Sequence, residues 1–178
     1  MAYQDSRWRC VFQAMVPTLR ELIGSARRAG ALVVFVRVSH DETTDSEVRL
    51  EHRRERKAPV CVEGTWGVEW YADLHPQPGD VVVTKHRFSA FINTPLDLIL
   101  RSRGIKTIVL TGTATNVCVE STARDGHMLD YYVVLPEDGA ATSDLPAHEA
   151  TLHNIRRHFG DVVTAAEVRQ VWETPSGA

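Results

Sequence analysis

The chain has 178 residues, 43% of them apolar, with 20 basic against 23 acidic side chains and a net charge of -3. This is the composition of a globular domain that can bury a sizeable core without a metal or disulfide framework, and a pI near 6.2 excludes the basic surface of a nucleic-acid partner. No apolar run approaches the ~18 residues of a membrane span, and Met1 to Cys10 is too polar for a signal segment, so no membrane partner is expected and the expected compartment is the cytoplasm.

In chain order, residues 1–15 hold no strand-like apolar run and read as a loop. The recognisable core of what reads as a single domain over residues 1–178 then runs from 16 to 172. Pro17 stands near a helix start, Leu19, Leu22, Ile23 and Ala26 recur at helical spacing, and Gly30 is placed as a stop, which predicts a helix over Val16 to Ala29. Ala31 to Val38 (ALVVFVRV) is a β-branched run of the kind buried on both faces of a parallel sheet. Residues 39–58 mix charges of both signs and read as a solvated excursion.

The second half alternates more clearly. Strands are predicted at Asp80 to Lys85, Lys106 to Thr111, Tyr131 to Leu135 and Asp161 to Thr164. Helices are predicted at Pro95 to Ser102, capped by Thr94, and at Asn116 to Leu129, Pro146 to His158 and Ala165 to Trp172. This alternation implies right-handed crossovers and an α/β three-layer sandwich with a mostly parallel sheet. Ligands of such sheets sit beyond the carboxyl ends of the strands, which directs attention to His40, to Lys85 to Phe91 and to Gly112 to Cys118.

Gly112-Thr-Ala-Thr-Asn-Val-Cys118 is a strand end turning into a helix that Thr115 or Asn116 can cap. Cys118 then lies in the first turn, where unpaired N–H groups and the helix dipole favour a thiolate and can hold an oxyanion. Lys85, at the end of the strand VVVTK, points to the same rim, where an ammonium favours that thiolate and can relay a proton. The other cysteines, Cys10 and Cys61, make an odd total at wide spacing, matching neither a disulfide framework nor a zinc site. His148 and His153 miss the i, i+4 spacing of a metal-binding helix. No metal and no cofactor are expected.

Lys85-His-Arg-Phe-Ser-Ala-Phe91, taken with Thr111-Gly-Thr-Ala-Thr-Asn-Val-Cys-Val-Glu-Ser-Thr122, resembles the isochorismatase-like cysteine hydrolases. Asn93 to Gly104 and Arg124-Asp-Gly126 bring it nearest to members of the ureidoacrylate amidohydrolase type. The resemblance implies an amidohydrolase that cleaves the C–N bond of a small carbamoyl or ureido amide through a thioester. Cys118 would be the nucleophile and Lys85 its charged partner, the amides of Ala114 and Cys118 the oxyanion hole, and Thr113–Ala114 a cis peptide. His40, Trp66, Phe88, Phe91, Thr115 and Asn116 would line the substrate pocket, with Phe88 standing where ureidoacrylate-type relatives carry Tyr. Assembly as a homodimer or homotetramer is implied as well.

The family's third catalytic group is an Asp that ends its first, central strand. No apolar run precedes the first helix here, and Asp5 has no strand before it. The expectation is therefore a domain whose first central strand lies before residue 1, leaving the chain as written without amidase activity. The alternatives are an isochorismatase- or nicotinamidase-like hydrolase and an inactive remnant or binding protein that lacks the Asp. Vinyl-ether hydrolysis of isochorismate is disfavoured, because that chemistry does not require a Cys at position 118.

Overall fold

The computed structural model describes residues 6–51, 60–71 and 74–174. In chain order the elements are α1 (Ser6–Arg28), β1 (Val34–Val38), α2 (Glu47–Glu51), β2 (Val81–Lys85), α3 (Leu96–Ser102), β3 (Thr107–Val109), β4 (Gly112–Thr113), a π-helical turn (Thr115–Val119) running into α4 (Glu120–Met128), β5 (Tyr132–Pro136), β6 (Ala140–Ala141), α5 (Leu145–Asn154), β7 (Asp161–Val163) and α6 (Ala165–Glu173). Among the described residues no helix is long and apolar enough to cross a membrane.

All strand pairs are parallel. β1 pairs with β2, with Val34 opposite Val81 and Val38 opposite Lys85. β5 lies between β3 and β7, and β4 with β6 extends that group at its carboxyl end. Among the described residues no strand joins β1 to β3, so the sheet comes as two parts with an apolar slot of about 530 Å³ between them, walled by Val33 to Val36 on one side and Thr107 to Leu110 on the other.

The side chains of the larger part alternate with period two, as strand geometry requires. Ile108, Val133, Leu135 and Val162 pack against Phe91, Leu96, Leu100, Ala123, Leu152 and Ile155 of the layer formed by α3, α4 and α5. Val109, Val134 and Val163 turn the other way, onto Leu22 of α1 and Val168 and Trp172 of α6. The three-layer α/β architecture expected from the alternation is present. Close approach also fixes one glycine: a Cβ on Gly160 would lie 2.2 Å from the carbonyl oxygen of Val133.

Three expectations need correction. Residues 1–15 do not form a loop where they are described, because α1 begins at Ser6 and runs through Pro17. Val11, Phe12 and Met15 continue the stripe of Leu19, Leu22 and Ala26 upstream, and their packing with Leu74 and Ala141 offsets the hydrogen bond and space that an internal proline costs. Asp5 and residues 52–58 of the charged stretch lie outside the described residues. β1 is not buried on both faces: none of Val34 to Val38 is fully buried and Val36 remains 36% exposed, because among the described residues only β2 lies beside it. The helix after β4 takes no side-chain cap from Thr115 or Asn116, since the residue before its first turn is Ala114.

Candidate active site

The slot closes at the carboxyl end of the sheet on Lys85, Gly112, Thr113, Cys118 and Thr122, with Phe91 and Val119 behind them. β2 delivers Lys85 as its last residue. The four apolar or small residues Val81 to Thr84, in register with β1, carry the ammonium into the interior, where Lys85 is 4% exposed and donates to the carbonyl of Phe88. β4 delivers Cys118 through a sharp turn: Gly112 takes φ +107°, a value that favours glycine, and the Thr113–Ala114 peptide is cis. The chain turns helical at Thr115, and Val117 and Val119 both donate to the carbonyl of Ala114 at 3.1 and 3.2 Å. Cys118 thus stands in the first turn as a free, partly exposed thiol.

Two contacts hold this turn. Thr122, one turn after the cysteine, donates to the Cys118 carbonyl at 2.7 Å and accepts from the Ala90 amide at 3.0 Å, tying the helix to the segment that follows Lys85. His148 of α5 contacts the hydroxyl of fully buried Thr115 through Nδ1 at 3.0 Å. Neither residue is among the site residues expected from the sequence, where His148 figures only as a metal ligand and Thr122 only as the end of a motif. The signal for Thr122 was its i+4 spacing from Cys118, at which a hydroxyl reaches back to a helix carbonyl. His148 gives no such signal, because only the fold brings α5 to the turn.

Of the residues proposed for the site, Lys85, Thr113, Phe91 and Cys118 line the slot. Ala114 and Asn116 belong to the turn, and the buried amide oxygen of Asn116 has no hydrogen-bond partner among the described residues. His40 lies elsewhere, in a separate acidic hollow with Asp41, Glu42, Asp45 and Glu63, its Nδ1 3.8 Å from Asp45. Trp66 and Phe88 are 68% and 65% exposed and do not line the slot. In the hollow, hydroxyl and backbone bonds from Thr43 and Thr44 hold the Asp41 carboxyl down at about 2. Glu120 and Arg124 form an i, i+4 ion pair at 2.6 Å on α4, with Glu120 also accepting from Thr151 of α5 at 2.6 Å and Arg124 stacked 4.4 Å over the Phe159 ring.

Residues 10–167 match the isochorismatase domain model. The chain belongs to the isochorismatase family. Within it, the chain is 35% identical over 179 residues to ureidoacrylate amidohydrolase RutB of Enterobacter sp. (strain 638), covering 92% of this chain and 78% of that one. The crystal structure of a cysteine hydrolase from Pseudomonas syringae pv. phaseolicola 1448A matches with a TM-score of 0.83 and 32% identity, over 91% of this chain and 81% of the other. N-carbamoylsarcosine amidase from Thermoplasma acidophilum matches with a TM-score of 0.76 and 30% identity, over 93% and 87%. The isochorismatase-like hydrolase fold is thereby established for this chain.

Proposed function

We propose that the chain is a cysteine-dependent amidohydrolase that cleaves the C–N bond of a small carbamoyl or ureido amide. The observation that carries the reading is the meeting of Cys118, in the first turn of a helix, with the buried ammonium of Lys85 at the carboxyl end of one slot. Relatives named for ureidoacrylate and N-carbamoylsarcosine support the substrate class.

In this reading the Cys118 thiolate attacks the amide carbonyl carbon, forming a C–S bond while the carbonyl π electrons move to oxygen. The backbone N–H groups of Ala114 and Cys118 receive that oxyanion, and the Lys85 ammonium adds positive charge beside it. Collapse breaks the C–N bond, and the nitrogen leaves as ammonia or an amine after taking a proton. Water then cleaves the thioester, returning the thiol and releasing the acid. Phe91 supplies an apolar wall.

The reading also includes assembly as a homodimer or homotetramer, for which sedimentation is the measure. Ammonia release from N-carbamoylsarcosine and ureidoacrylate tests the chemistry, and any release by the chain corrects the expectation that, as written, it has no amidase activity. Cys118→Ala should lower it by at least about 10³-fold, and Lys85→Met should lower the turnover number more than it raises KM. Release that survives Cys118→Ala undiminished overturns the proposal.

A further inference from the structure

Cys118 sits in a turn of uncommon winding. Val119 donates to the carbonyl of Ala114 and Glu120 to that of Thr115, so each bond spans five residues where an α-helix spans four. Turns of this kind are rare and occur as single turns set into α-helices. Ordinary α-helical winding is the competing state of the same residues, and it would rotate Cys118 about the helix axis and carry its sulfur away from the end of the slot. The observed winding therefore calls for contacts from outside the helix.

α5 supplies them at two points. His148 and Thr151 stand three residues apart and share one face of that helix. Nδ1 of His148 meets the hydroxyl of Thr115 at 3.0 Å, and the hydroxyl of Thr151 donates to Glu120 at 2.6 Å. Thr115 and Glu120 are the two ends of the second five-residue bond, so α5 holds both ends of the span that contains Cys118. Thr115 and Thr151 are fully buried, which makes a lost partner there costly. The Thr115 end depends more on α5 than the other: Glu120 is also held by Arg124, whereas among the described residues His148 is the side chain that meets the Thr115 hydroxyl. Thr115 itself does not line the slot, so its hydroxyl serves the turn and not the substrate.

We propose, on the reading of Cys118 as the nucleophile, that His148 is a positioning residue: through Thr115 it fixes the winding of the turn and thereby sets the reactivity of the Cys118 thiol. Removing Nδ1 leaves a buried hydroxyl without its partner, and the turn relieves that cost only by moving. Movement separates the sulfur from the first-turn N–H groups and from Lys85, the two features that favour the thiolate. The bond needs a polar atom at the place of Nδ1 and not the imidazole charge, because a threonine hydroxyl both donates and accepts. Asparagine puts a polar atom at nearly that place on its side chain, whereas leucine keeps the bulk without it.

The test is iodoacetamide labelling of the 178-residue chain across a series of pH values, followed at Cys118 and at Cys61 by mass spectrometry. His148→Leu should move the midpoint of the Cys118 pH profile up by about one pH unit, the shift that a tenfold loss of thiolate preference produces, while Cys61 labelling stays unchanged. His148→Asn should keep the Cys118 midpoint near that of the unaltered chain. From the other partner, Thr115→Val should move the midpoint as His148→Leu does, and Thr115→Ser should not. The double variant His148→Leu with Thr115→Val should be no worse than either alone, because both substitutions remove the same bond.

Four results overturn it: an unmoved Cys118 midpoint in His148→Leu; a His148→Asn chain as impaired as His148→Leu, which would assign the effect to the ring; fully additive shifts in the double variant; or labelling of Cys118 and Cys61 accelerated together, which would make the bond a support of the whole fold and not of the turn. Labelling is read without turnover, so the two readings fail separately. A chain that gives the expected midpoints yet releases no ammonia from N-carbamoylsarcosine or ureidoacrylate supports the positioning role and counts against the amidase reading. A chain that releases ammonia while Cys118 labelling ignores His148 does the reverse.

Discussion

β5 and β1 are built from similar residues, Tyr-Val-Val-Leu-Pro and Val-Phe-Val-Arg-Val, yet they end in different environments. β5 has a strand on each side, and Leu135 is completely buried with Val133 close to it. Among the described residues β1 has one neighbour, and Val36 keeps 36% of its surface exposed. An apolar, β-branched sequence therefore buries a parallel strand only when both edges are occupied. Lateral pairing brings in the helices that seal the faces, and without it the side chains line a cavity.

The largest expected effect lies in the better-packed part. Leu135→Ala should cost about 3 kcal/mol or more of unfolding free energy in urea melts, whereas Val36→Ala should cost under about 1 kcal/mol because its side chain already meets solvent. Equal losses would break the comparison. Gly160→Ala should follow at about 2 kcal/mol, since its Cβ would press on the Val133 carbonyl and push β7 from β5; a neutral melt would show that the β5 edge yields more than this packing implies.

A smaller effect comes from Tyr131 at the foot of β5. Burial, with its hydrogen bond to Asp97 at 2.8 Å, pushes the phenol up to about 12. A folded-state value above the ordinary 10 gives a contribution fully present below pH 10 and lost as the pH rises from 10 to 12. The same bond, aided by Arg101, lowers the Asp97 carboxyl, so its contribution is present above pH 3.8 and fades as the pH falls below it. Tyr131→Phe should flatten the alkaline slope of stability in chemical melts from pH 9 to 12, and an unchanged slope would assign it to other groups.

Much of this was legible beforehand. The alternation of patterns located most of the regular elements and the three layers, because each buried strand carries its own apolar run and each helix its own stripe. The nucleophile turn was legible because Gly112 to Cys118 combines a strand end, a glycine and a cysteine at a helix start. What the sequence hid was lateral. Nothing within Ala31 to Val38 states how many neighbours the strand has, and the Thr115 to His148 bond joins residues 33 positions apart. The upstream half of α1 was hidden differently: Pro17 resembles a helix start, although the spacing of Val11, Phe12 and Met15 already continued the stripe through it.

In the proposed chemistry Cys118 is the reactive group at the end of the slot. The most direct measurement is tandem mass spectrometry of the chain after limited treatment with an electrophilic ureido amide, followed by mapping of the first cysteine modified. The account predicts that Cys118 is labelled well ahead of Cys61 and Cys10, and that Lys85→Met slows this labelling alone. Preferential modification of Cys61 or Cys10, or a rate at Cys118 indifferent to Lys85, would contradict it.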